Sequence, residues 1–182
     1  MARLKASYSE AFTKKVGTEL FLLTYGSLVA QLIQDYEDND EINTQLDKMG
    51  YNIGLRLADD FLARYPQTKC VEFRETADVI AKFGFKNYLG FVPVVDKWNP
   101  SDRSCSLFFD HNPLAEFVEL PPEHASLWYA NILCGVLRGA LEVVHLEVEV
   151  KFLQDVLRGD DKTELYIRFI RKIEDTVPPG ED

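Results

Sequence analysis

Between residues 20 and 36 the apolar side chains Phe21, Tyr25, Leu28 and Leu32 recur at helical intervals, and Leu22, Val29 and Ile33 form a second stripe. This spacing predicts a helix opened by Thr18-Glu19 and buried on most sides. The acidic run Glu37-Asp38-Asn39-Asp40 then makes a turn and favours a new helix start, because negative charge meets the positive end of the helix dipole. Ile42, Leu46, Met49, Ile53, Leu57 and Phe61 carry the clearest stripe in the chain until Tyr65-Pro66, where the residue before proline resists helical backbone. Gly50 and Gly54 lie four apart on this helix, where a neighbouring element can come close. A third helix is expected over residues 70–87, with Phe73, Ala77, Ile80 and Gly84 on one face.

The period changes after Gly90. Residues 91–95 and 105–109 are β-rich runs around the turn-forming Asn99-Pro100-Ser101-Asp102, which predicts a hairpin. Leu120-Pro121-Pro122-Glu123 precedes a strongly apolar helix over about 125–141, with a second glycine pair at Gly135 and Gly139. Leu146, Val148, Val150 and Phe152 alternate with Glu147, Glu149 and Lys151, and Leu165, Ile167 and Phe169 alternate beyond the turn Gly159-Asp160-Asp161. Two antiparallel strands follow. The predicted class is α+β, a helical layer packed on a short antiparallel sheet. The expected organisation is a flexible arm at 1–16, one domain at 17–176 and an exposed tail at 177–182.

Composition narrows the partners. Thirty acidic against twenty basic residues in 182 give a formal charge of −10, which repels nucleic-acid phosphate at long range and weakens membrane contact without forbidding it. The three cysteines, Cys70, Cys105 and Cys134, are an odd number without close pairing, and Met1-Ala2-Arg3-Leu4-Lys5 begins no apolar leader; the expected setting is cytoplasmic. The longest apolar runs are interrupted by Gln, Asn or Arg, short of the ~20 residues a membrane span requires.

Chemistry is sparse. A thiol nucleophile at Cys70 needs a base, and His111, His124 and His145 are the choices, yet no local spacing sets one beside it. His and Cys show no metal-ligand spacing, and Tyr25-Gly26-Ser27 lies within a helix and so forms no phosphate loop. No catalytic residue and no metal are assigned. Arg138 interrupts the apolar run near 133–144, with Glu142 one turn later as its expected partner.

Several stretches, kept in order over about 19–182, carry a resemblance. They are Glu19-Leu20-Phe21 with Leu23-Thr24-Tyr25-Gly26, Gln45-Leu46-Asp47-Lys48-Met49-Gly50-Tyr51-Asn52-Ile53-Gly54, Phe73-Arg74-Glu75-Thr76-Ala77-Asp78-Val79-Ile80-Ala81-Lys82, Asn112-Pro113-Leu114 with Phe117-Val118-Glu119-Leu120-Pro121, and Leu133-Cys134-Gly135-Val136-Leu137-Arg138-Gly139-Ala140-Leu141-Glu142. Together they resemble the trafficking protein particle (TRAPP) complex subunit 3, or Bet-type, small-subunit family.

That resemblance implies the same helix-on-sheet fold, with an internal apolar tunnel holding a fatty acyl chain, palmitate by preference, on the cysteine that opens the third helix. Here that cysteine is Cys70, and Phe73, Ala77, Ile80 and Gly84 are the tunnel candidates. A palmitoyl-length chain buried at about 0.8 kcal/mol per methylene would contribute at most ~10 kcal/mol as internal filling. Lys69 stands where the family usually has Arg and keeps a charge that favours thiolate. Gly84 stands where the family often has Ala, and a large side chain there would block the tunnel. The resemblance further implies dimers with itself or other small subunits, a non-enzymatic role in tethering vesicles between endoplasmic reticulum and cis-Golgi, and nucleotide exchange on a Rab-family GTPase by the assembled complex. The family's tail reaches the GTPase, so Glu181 and Asp182 are its contact candidates. A stand-alone fatty-acid carrier and a thiol acyltransferase are the alternatives.

Overall fold

The computed structural model describes residues 17–66, 70 and 72–174, and these fall into two compact units divided between Asp35 and Tyr36. In the first, helix α1 (Thr18–Asp35) buries Tyr25, Val29 and Leu32, which share one line at steps of four and three. The expectation of burial on most sides is corrected: Leu20, Phe21 and Leu23 are 62%, 50% and 71% exposed. All three lie in the first two turns; Leu20 and Leu23 are off the buried line, and Phe21 continues it into the exposed N-terminal end of the helix. The arm at 1–16, Lys69 and the tail with Glu181 and Asp182 lie outside the described residues.

The second unit begins with Asp38 capping helix α2 (Asn39–Arg64), its side chain accepting from the Asp40 N–H at 3.1 Å. This is the start that the acidic run predicts. After a helix α3 (Phe73–Val79), six residues from Ile80 to Phe85 form a π-helical segment and α4 (Lys86–Tyr88) closes it. Helix α5 (Ile132–Val143) starts later than residue 125. The reason lies in Asn43 of α2: its side-chain oxygen takes the Trp128 N–H at 3.0 Å, and its carbonyl takes the Asn131 amide at 2.8 Å. A backbone N–H spent on a side chain is lost to a helical ladder.

The two glycine pairs meet. An added Cβ at Gly135 would lie 1.9 Å from the Asp47 carbonyl oxygen, and one at Gly50 would lie 2.0 Å from that of Ile132. Only glycine allows α2 and α5 to cross backbone to backbone. This contact also corrects the Arg138 pairing. Its guanidinium lies over the Tyr51 ring at 5.4 Å and pairs with Asp47 of α2, the Nε bond measuring 3.4 Å. The close crossing brings the α2 carboxylate to it from another helix, and Glu142 instead acts on Tyr51, whose hydroxyl it pushes above the usual range by a hydrogen bond.

Strands β1 (Val94–Asn99), β2 (Ser104–Phe109), β3 (Leu146–Gln154) and β4 (Thr163–Lys172) form one antiparallel sheet in the order β1-β2-β4-β3. Register aligns Cys105, Ile167 and Val150 in one row and Leu107, Leu165 and Phe152 in the next. These rows form the apolar inner face, with Cys105, Leu107, Leu165 and Ile167 fully enclosed. Glu149, Lys151, Leu153, Tyr166 and Arg168 line a shallow depression of about 400 Å³ on the opposite face. Its charges are paired among themselves: Arg168 with Glu149 at 2.5 Å and Lys151 with Glu149 at 2.8 Å. Those bonds, Lys151 foremost, outweigh partial burial and hold the Glu149 carboxyl below its ordinary range. On β4, Glu164 is 2% exposed and satisfied by Lys97 at 2.7 and 2.9 Å and by Ser106 at 2.6 Å. Lys97 reaches it from a bulge in β1, with φ at 53°.

Candidate acyl-binding site on the third helix

Cys70 is exposed and precedes Glu72, the extended N-cap residue of α3. It therefore lies just before the helix and not inside it, as the 70–87 span would have had it. Glu72 and Glu75 make a reciprocal cap, the Glu72 N–H donating to the Glu75 carboxylate at 3.5 Å. The helix then carries a buried line at four-residue steps through Ala77, Ala81 and Phe85. Phe73, Ile80 and Gly84 are half-buried beside it. The π-helical segment shifts the angular register after Val79, so Ile80 and Gly84 flank the most enclosed line instead of sharing it.

Aromatic rings frame this helix at both ends. Phe73 meets Trp98 edge-on at 6.0 Å and Phe169 at 5.8 Å, and Arg74 and Arg103 cover Trp98 and Phe169 at 5.3 and 4.5 Å. Farther along, Phe85, Phe91 and Phe109 form a trio with centroids 5.1–6.1 Å apart. Such tilted and edge-on pairs make an apolar wall of fixed shape. At Gly84 an added Cβ would meet nothing within 4 Å, so there is open space beside the helix at this position. The far end is tied to α2: Asn87 donates to the Tyr65 hydroxyl at 3.0 Å and the Tyr88 hydroxyl donates to Asp60 at 2.8 Å. Burial, followed by that bond, pushes the Tyr88 hydroxyl well up.

The remaining sequence candidates lie elsewhere. His124 bonds Asn39 through Nδ1 at 2.9 Å, and His111 approaches Glu116 at 3.9 Å. Cys105 and Cys134 are buried, and burial pushes the Cys105 thiol up to about 12 and that of Cys134 higher still. Both are inert as nucleophiles at neutral pH. Among the described residues no group of three or more His, Cys, Asp or Glu is placed to hold a metal, and no helix is long and apolar enough to cross a membrane. The sequence marks Phe169 only as one position of a strand alternation and gives no signal at Trp98. Their contacts with Phe73 join residues far apart in the chain, for which local periodicity carries no signal.

The family model described as transport protein particle (TRAPP) component matches residues 21–168. The chain is 50% identical over 169 residues to transport protein particle subunit bet3 of Schizosaccharomyces pombe, covering 92% of each protein. It is 45% identical over 177 residues to trafficking protein particle complex subunit 3 of Dictyostelium discoideum, covering 96% of this chain and 95% of that one. A crystal structure of a trafficking protein particle complex subunit 3 from Naegleria fowleri, covalently bound to palmitic acid, superposes with a TM-score of 0.84 at 44% identity, covering 89% of this chain and all of that one. With its helices packed on a four-stranded antiparallel sheet and these relatives matched over nearly their whole length, the chain belongs to the transport protein particle (TRAPP) component family.

Proposed function

We propose that this chain is a non-enzymatic core subunit of a TRAPP tethering complex in endoplasmic reticulum-to-Golgi transport, and that it carries a fatty acyl chain as a thioester on Cys70. The observation that carries this reading is local: an exposed thiol stands just ahead of a helix that buries Ala77 and Ala81 and leaves open space at Gly84. The relative with covalently bound palmitate supports it. In this reading Phe73, Ala77, Ile80 and Gly84 line the path of the acyl chain, and Lys69 is the basic residue next in sequence to the acylated thiol. Palmitate then acts as core material, stabilising the folded subunit through methylene burial, and does not anchor it to a bilayer.

The same reading makes the chain cytoplasmic and peripheral at cis-Golgi and endoplasmic reticulum membranes, paired with itself or with other small subunits. Nucleotide exchange on a Rab-family GTPase is a property of the assembled complex, achieved by disturbing phosphate, Mg²⁺ and switch-loop contacts without covalent chemistry. Glu181 and Asp182 of the tail supply negative charge against phosphate. Two measurements test this. The intact mass of the protein from eukaryotic cells should exceed that of Cys70→Ser by an acyl increment beyond the substitution itself; equal masses after that correction refute acylation. Removing residues 177–182 should slow exchange by the reconstituted complex without disturbing its assembly, and an unchanged rate removes the tail from the mechanism.

A further inference from the structure

Phe117 is 81% exposed, more than any other large apolar side chain among the described residues. Its backbone is nevertheless tied. Asn112 accepts the Leu114 N–H on its side chain at 3.1 Å and the Ala115 N–H on its carbonyl at 3.0 Å. The Val118 N–H returns to the Ala115 carbonyl at 3.1 Å, and Leu114 is buried beneath the turn. A ring held out on a fixed turn has already lost most of the backbone freedom that binding would otherwise cost, which is the condition for an interface anchor.

The surrounding charge specifies the partner. Phe117 stands between the exposed Glu116 and Glu119, with Asp110 and Glu123 exposed on the same segment, and the cations that reach this segment from other elements, Lys97 and Lys162 over Phe108 and Arg158 over Trp128, do so at other residues. A surface of this sign repels phosphate and anionic lipid and attracts basic protein. We propose that Phe117 is an anchor by which this chain docks on another subunit of its complex, entering an apolar pocket rimmed by lysine or arginine. The proposal rests on the subunit reading above and adds to it a surface and the chemistry of its partner.

The test uses the full chain with the other small subunits of the particle from the same organism. Phe117→Ala should leave the melting temperature of the isolated chain unchanged, since the ring is exposed, while weakening its association with one subunit about thirtyfold. Glu116→Gln with Glu119→Gln should flatten the salt dependence of that association. A photoreactive phenylalanine analogue at 117 should cross-link to an apolar segment of one subunit flanked by Lys or Arg, and the same analogue at the half-exposed Phe83 should not reach that segment. Normal assembly by Phe117→Ala, with no cross-link from 117 to another subunit, overturns this proposal alone. Binding to phosphatidylserine vesicles that is lost in Phe117→Ala overturns it in favour of a membrane. Failure of the unaltered chain to join the other subunits overturns the subunit reading and this surface with it.

Discussion

Replacing Gly135 by alanine places a methyl group against backbone. The new carbon would lie 1.9 Å from the Asp47 oxygen, 2.8 Å from the Asp47 carbonyl carbon and 2.7 Å from the Tyr51 nitrogen. Non-bonded atoms settle near 3.5 Å, so α5 must withdraw from α2 by roughly 1.5 Å. No side-chain rotation relieves this contact. The withdrawal also loosens Gly50, Gly54 and Gly139, each of which would hold an added carbon within 2.2 Å of backbone oxygen on the other helix. Overpacking of this kind costs ~1–3 kcal/mol by itself, and lost contacts along the crossing add to it. Alanine returns about 1 kcal/mol of helix propensity. The expected net loss is about 2–4 kcal/mol. With a urea slope near ~2 kcal/mol per molar, the unfolding midpoint should fall by about 1–2 M. Gly84→Ala is the control, because its added carbon meets nothing within 4 Å; it should gain up to about 1 kcal/mol and move the midpoint upward. Urea unfolding followed by circular dichroism reads both variants. A Gly135→Ala midpoint at or above that of the unaltered chain, or a shift of the same sign in both variants, would refute the argument from backbone contact.

Two further variants probe buried carboxylates. Lys97→Met strips the neutralising cation from Glu164, whose side chain is 3% exposed; because Lys97 itself is partly solvated, the expected loss is roughly 2–3 kcal/mol. Urea unfolding measures it, and Glu164→Gln added to Lys97→Met should restore part of the loss. Asp155 is buried, and burial raises its carboxyl pKa against the pull of the Leu157 N–H and Arg158, with Asp160 adding to the rise. A raised carboxyl pKa means that the folded state disfavours the ionised form, so the penalty is full above the folded pKa and vanishes below the unfolded value of about 3.9. Asp155→Asn keeps an oxygen for Leu157 and should exceed the unaltered chain in stability at pH 7, with the advantage shrinking as pH falls toward 4. An advantage independent of pH between 7 and 4 would rule out ionisation as its source.

Local chemistry was enough for the elements whose signals repeat within a few residues. The stripe from Ile42 to Phe61 gave α2, Asp38 marked its start, and the alternation of Val148, Val150 and Phe152 with charged neighbours gave β3 and its inward face. The resemblance carried by the quoted motifs reached the family and the helix-on-sheet class, and pointed to Cys70 as the acylated residue. The glycine pairs announced a close approach, though not to what.

Which glycine met which, the partner of Arg138, the late start of α5 and the rings around Phe73 were decided only by the tertiary structure. Each depends on a contact between distant residues: Asp47 with Arg138, Asn43 with Trp128 and Asn131, Phe73 with Trp98 and Phe169. Periodicity reports which side of an element is apolar, because that follows from the geometry of one helix or strand. It carries no information on which other element will cover that side. That choice is made when backbones and side chains compete for the same space and the same hydrogen-bond donors, as when Asn43 takes the Trp128 N–H that a helix begun at residue 125 would have used.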